Sequence, residues 1–216
     1  MTQYKRPIVA VDVVIFTVIN NELQVLLMKR ERKPYQNELA LIGAFTKINE
    51  TTVDAANRAL KEKADVDYMY LEQLYTFDAI KRDPRDRVIT VSYFTIVKNT
   101  ELKSNPATTT LVNVKDVGTL AFDHNEILMY AIQRLQWKFE YTTIPFAMLP
   151  ELFTLRELQE LYETVLEQHF NKSNFRKRIL KLNILEKTEH KETTTPHRPA
   201  YYYRFIGRVG KIVHIF

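Results

Sequence analysis

The chain has 216 residues, 45% of them hydrophobic and 12% aromatic, enough to fill one large core or two modest ones. It has no cysteine, which excludes a disulfide framework, a thiol nucleophile and a cysteine metal site, and it has no apolar run near the ~20 residues of a membrane span. The net charge of +5 conceals a division: residues 171–216 hold 11 Lys and Arg against 3 Glu, whereas residues 1–170 hold 20 basic against 23 acidic.

A basic end on a mildly acidic body suits a polyanion partner, with a merely solvated basic surface as the alternative. The N-terminal residues lack the apolar core of a signal peptide, so the expected location is the cytoplasm of a bacterium. Ile8–Ile19 is β-branched and too apolar for an exposed strand, and it reads as a buried one. Asp12 inside it needs a partner, either a structural hydrogen bond or a ligand. Asn20–Glu22 is a turn, Leu23–Arg30 a second strand, and Glu31–Asn37 a polar loop containing Pro34. Leu39–Gly43 leads into a loop ending at Glu50, and a helix follows. Thr51 with Asp54 caps it, and Val53, Ala56, Leu60 and Ala64 form an apolar face. Tyr70–Phe77 and Val88–Val97 are strands flanking a charged loop, Leu111–Val114 is a further strand, and a capped helix begins near Asp123.

The stretch from Gly43 to Val66 resembles the Nudix box, G-x5-E-x7-R-E-U-x-E-E-x-G-U with U aliphatic. Glu50, Arg58, Leu60, Glu62 and Val66 match. Ala44 stands in the first glycine place, Asp65 in the second, and Ala59 and Lys63 where glutamates belong. In the family those glutamates hold Mg²⁺, which clamps a diphosphate and activates water. Only Glu62 survives of three, so the resemblance implies the fold without catalysis, bound metal or cofactor. It also implies an α/β/α sandwich and places nucleoside-diphosphate contacts in the loop Lys81–Arg87. Arginine suits that work through bidentate bonds, although a self-neutralising loop of alternating charge reads equally well. The candidate effector contacts are Arg30, Lys47, Arg58, Glu62, Arg82 and Arg87.

Tyr141–Pro145 reads as a linker, dividing the chain into residues 1–142 and 143–216. Beyond it, Thr154 and Glu157 form a capping box, and Phe153 and Leu158 a hydrophobic staple. Leu155, Leu158, Tyr162 and Val165 make the apolar stripe of a scaffold helix. In Asn171–Leu182, Ser173 is expected to cap a helix starting at Asn174. Phe175, Ile179 and Leu182 fall on one face, and Asn174, Lys177, Arg178 and Lys181 on the other, with Arg176 at the flank. That is the layout of a recognition helix for DNA bases and phosphates, or of a basic helix lying on a surface. Ile184–Thr188 and Ala200–Ile206 read as two strands joined by a polar loop that carries His190, His197 and Arg198. The sum is a winged helix-turn-helix. Too few ligands surround the two histidines for a metal, leaving phosphate contact or exposure.

Together, the altered box, Leu120–Asn125, Leu152–Gln159, Ser173–Arg178 and Arg198–Tyr203 resemble the NrtR family of Nudix-related transcriptional regulators over nearly the whole chain. The resemblance implies an α+β protein, a Nudix sandwich followed by a winged helix-turn-helix. It implies a homodimer on a palindromic double-stranded operator, repression of NAD-metabolism genes, and release by ADP-ribose. Ser173, Asn174, Arg176, Lys177, Arg178, Lys181 and Arg198 are the expected DNA contacts. A related branch of the family answers to arabinose. Two other classes stand beside this reading: an active Nudix hydrolase with a basic accessory domain, and a sensor whose C-terminal domain binds a protein.

Overall fold

Ten of the twelve residues in β1 (Ile8–Ile19) are Val, Ile, Ala or Phe, and its middle is wholly buried. It is followed by β2 (Glu22–Lys29), β3 (Leu39–Ala40), β4 (Ile42–Phe45), α1 (Thr52–Ala64), β5 (Leu71–Phe77), β6 (Val88–Ile96), β7 (Thr109–Asn113) and α2 (His124–Tyr141). Then come β8 (Phe153–Thr154), α3 (Leu155–Leu166), α4 (Lys172–Lys181), β9 (Leu185–Lys191) and β10 (Tyr201–Phe205). The computed structural model describes residues 6–66, 70–102, 108–192 and 199–215. Its two compact units are residues 1–17 with 24–133, and residues 18–23 with 134–216.

In the first unit β1 is the axis of a seven-stranded mixed sheet. One edge runs parallel to β6 from Ile8↔Val88 to Phe16↔Ile96, while Ala10–Val13 pair antiparallel with β4. Helix α1 packs on this sheet through Ala55, Ala56, Ala59, Leu60 and Ala64, against Val11, Val13 and Ile15 of β1. Alanines let the helix approach closely. The expected capping box is present: Thr51 Oγ1 accepts from the Asp54 amide, and Asp54 accepts from the Thr51 amide. Val53 is a correction. It is 47% exposed, because the buried stripe is centred on the alanines and leaves Val53 on its rim.

The second unit has its own three-stranded sheet in the order β8-β10-β9. Thr154 and Glu157 close the expected box at the start of α3, and the staple residues Phe153 and Leu158 are both buried. Tyr162 meets Phe139 at 5.4 Å and Phe175 at 5.5 Å, and Phe146 stacks on Phe205 at 4.2 Å. The segment expected as a linker is instead packed: Thr142, Thr143, Ile144 and Pro145 are buried. The Thr143 hydroxyl donates to the Arg208 carbonyl (2.7 Å) and accepts from the Lys211 amide (3.0 Å). Threonine hydroxyls here complete the hydrogen bonding of the C-terminal segment, which composition cannot reveal.

Two further corrections concern the helix–strand boundaries. Helix α4 begins at Lys172, capped by Asn171, whose side chain accepts from the amides of Ser173 and Asn174 at 3.1 Å each. Asparagine and serine cap about equally well, and of these two closely spaced candidates the earlier one caps the helix. Strand β9 continues to Lys191, so His190 lies in the strand and not in the loop. Among the described residues, no helix is long and apolar enough to cross a membrane.

Candidate functional site

Asp12 on β1, Arg30 just beyond β2, Glu62 and Lys63 on α1, and the β5–β6 loop converge on one cavity of about 620 Å³ in the first unit. Seven lysines and arginines and four acidic residues line it. Its floor is a buried charge network. Arg82, 8% exposed, donates to both oxygens of Asp123 (2.8 and 2.7 Å) and to Asp12 Oδ2 (3.3 Å). His124 Nδ1 accepts from the Leu41 amide (2.9 Å), and its Nε2 lies 3.5 Å from Asp12 Oδ1. Burial pushes the His124 pKa down, so the ring is neutral and its one proton faces Asp12. Gly43 makes this floor possible. A methyl group there would come within 2.4 Å of Asp12 Oδ1 and 2.7 Å of the Val11 carbonyl.

The wall is aromatic and cationic. The Arg30 guanidinium lies 4.6 Å from the Phe122 ring centre and that of Arg85 lies 5.4 Å from it. Arg85 is also 5.3 Å from Phe45 and is held by Asp83 at 2.6 and 2.9 Å. Phe122 has a φ of 57°, a left-handed conformation uncommon for a bulky side chain. Asn125 braces that loop, accepting from the Leu120 amide and donating to the Gly118 carbonyl, each at 2.8 Å.

The box residues hold one another more than they face a ligand. Arg58 donates to both oxygens of Glu50 (2.6 and 2.9 Å) and to the Phe45 carbonyl (2.9 Å). This pairing, with the Lys47 amide, pulls the Glu50 pKa down to about 2. Glu62 stands on the cavity, 3.5 Å from Arg58. Lys63 Nζ donates to the Gly43 carbonyl. Ala59 is fully buried in the core. These residues do not fit the Mg²⁺ of the Nudix box. The donor set retains a single box carboxylate, and a lysine cation bonds the nearby carbonyl. No group of three or more Asp, Glu or His that could hold a metal occurs among the described residues.

Of the candidate effector contacts, Arg30, Glu62 and Arg82 line the cavity, and Lys47, Arg58 and Arg87 do not. Lys47 is exposed, with its amide on Glu50. Arg87 turns back onto the carbonyls of Asp78 (2.7 Å) and Ala79 (3.3 Å). The sequence pointed to the loop that holds Arg85 and to the metal position that Lys63 fills without naming either as a contact, and it missed Phe122 and His124; all four line the cavity. Asp83-Pro84-Arg85 was the available signal, because a paired Asp and Arg two apart can fix the fork of the arginine.

In the second unit, Phe175 and Ile179 of α4 are buried, while Ser173, Asn174, Lys177, Arg178 and Lys181 are exposed. Arg176 is half-buried. On the neighbouring hairpin, the Lys187 and Lys191 ammonium groups lie 3.6 and 4.6 Å from the Tyr201 ring centre. Arg198 and His197 lie outside the described residues.

Comparison with known proteins connects both units to one family. Residues 9–136 match the NUDIX domain, and residues 145–205 match the NrtR DNA-binding winged helix domain. An ADPR-responsive transcriptional repressor of Acinetobacter baylyi is 35% identical over 212 residues, 94% of this chain and 84% of that protein. The crystal structure of Shewanella oneidensis NrtR with a 27mer DNA superposes with a TM-score of 0.83 at 32% identity, covering 91% of this chain and 93% of that one. The NUDIX domain of the same Shewanella protein, crystallised with ADP-ribose, gives a TM-score of 0.56 at 30% identity, covering 61% and 90%. An ADP-ribose pyrophosphatase of Methanocaldococcus jannaschii is 30% identical over 137 residues, 62% of this chain and 77% of its own length. With both units matched in order along nearly its full length, this chain belongs to the NrtR family.

Proposed function

We propose that this chain is an ADP-ribose-responsive transcriptional repressor without hydrolase activity, its residues 1–142 sensing the effector and 143–216 binding DNA. The observation that carries this reading is a cavity with a surplus of cations, on a Nudix unit whose box lacks a metal shell, in a chain that also bears an exposed basic helix. Seven basic groups against four acidic ones favour an anionic effector over a neutral sugar such as arabinose. Arg30, Arg85 and Phe122 supply guanidinium forks and an aromatic face, the chemistry that suits a nucleoside diphosphate. The protein acts in the cytoplasm as a homodimer on a palindromic operator, its two α4 helices ~34 Å apart in successive major grooves.

Operator affinity titrated against ADP-ribose tests the reading. Effector binding to the DNA-incompetent state weakens operator binding by ~5–150-fold, and operator DNA weakens ADP-ribose binding by the same factor. No shift with ADP-ribose sinks the sensor. A turnover near ~1 s⁻¹ on ADP-ribose with saturating Mg²⁺, within the ordinary enzyme range, makes the chain a hydrolase instead.

A further inference from the structure

Two of the three positions that should carry metal-holding glutamates have been changed, each in a different sense. Ala59 is buried among Val11, Val13 and Leu60 and brings no polar atom to the cavity. Lys63 does the opposite. It stands on the cavity with its ammonium group donating to the Gly43 carbonyl, beside Glu62. Backbone carbonyls and carboxylates are the oxygens that hard divalent cations take. Here the cation bonded to such a carbonyl is part of the chain. A glutamate at this position would carry −1 and need a divalent ion before a diphosphate could approach. A lysine carries +1 and needs none.

We infer that the Lys63 ammonium takes the place of the divalent cation, so that this cavity binds the diphosphate of its effector without metal. The inference rests on the reading of the cavity as an ADP-ribose site and adds how the diphosphate is held. Lys63 is a direct ligand of the phosphate oxygens in this account. The Gly43 carbonyl orients the ammonium, and Arg30 and Arg85 line the same cavity. An ammonium is a compact charge with three donors, so it can keep the Gly43 bond while donating two more to phosphate.

Calorimetric titration of the full-length protein with ADP-ribose, in EDTA and in Mg²⁺, tests this, with ADP and inorganic pyrophosphate as further probes. Wild type binds equally well in both buffers. Lys63→Gln weakens binding by about tenfold or more, as expected for losing at least one charge-assisted hydrogen bond, and Lys63→Arg restores part of it. Ligand-free operator binding by each variant confirms that the chain is folded. Loss of wild-type affinity on chelation, or a Lys63→Gln variant that binds as tightly as wild type, overturns the inference while leaving the effector reading intact. If ADP-ribose does not bind but ADP or pyrophosphate does, the effector reading falls, and the role of Lys63 is scored on the probe that binds. If none of the three binds wild type in either buffer, both fall.

Discussion

Arg82 in the first unit has two carboxylate partners and is 8% exposed, whereas Lys177 and Lys181 of α4 lie out in solvent. Both regions suit anions, by different physics. Two arginines of the cavity are already held by carboxylates, Arg82 by Asp12 and Asp123, and Arg85 by Asp83. Orientation is fixed before a ligand arrives, so little rotamer entropy is lost on binding, and shape decides what fits. Exposed lysines on a helix gain instead from releasing counterions along a polyanion, a term that is strong, insensitive to sequence and sharply dependent on salt. A specific small-molecule site and a DNA-facing surface thus spend the same residue types in opposite ways.

That contrast is easiest to break at Arg82. Arg82→Ala leaves the buried Asp12 and the half-buried Asp123 without their cation and destabilises the first unit by ~3–5 kcal/mol, read as a lowered denaturation midpoint for that unit. A midpoint equal to wild type means the floor is not a cooperative ion network. The double variant Lys177→Ala/Lys181→Ala leaves stability near wild type and weakens binding to all duplex DNA. Its log–log salt slope falls by about 1.8, two phosphate contacts at ~0.9 each. An unchanged slope removes α4 from the DNA interface.

Smaller effects sharpen the boundary of that helix. Asn171→Ala costs ~1 kcal/mol through loss of the cap, while Ser173→Ala, which removes no cap, changes thermal stability by well under that. The reverse order restores the later helix start. The least effect is expected at Glu50. Its folded pKa is depressed by the Arg58 hydrogen bond, so the pair's contribution is present above the usual glutamate value, ~4.3, and is lost as pH falls toward about 2. The stability advantage of wild type over Glu50→Gln therefore shrinks across that acid window and is constant above it, as denaturation at a series of pH values reads directly.

Local signals in the sequence were enough for several of the elements. The largely β-branched run marked both ends of β1, and the Thr51/Asp54 and Thr154/Glu157 boxes marked two helix starts. Strand pairing, which decides the site, lies beyond local signals. Asp12 meets Arg82 seventy residues away and His124 much further on. Which arginine of the loop faces the cavity depends on the β5–β6 pairing and the β1–β6 register, not on spacing within the loop. Arg87 was therefore named as a contact and Arg85 was not. The winged-helix face was more legible because one amphipathic helix carries it. The packed Thr142–Pro145 segment was not, since its partners come from the far C-terminus.

Gly43 carries a consequence for how this chain tolerates substitution. In a saturation scan, the harshest penalty for a single added methyl group falls on a residue that has no side chain to offer a ligand. Alanine at 43 drives into Asp12 and the Val11 backbone, displacing the carboxylate on which Arg82 and His124 depend. At Gly118, where an added methyl meets nothing within 4 Å, alanine is spatially free. The floor of the cavity is thus guarded by an empty space, and variation in effector preference has to come through its walls.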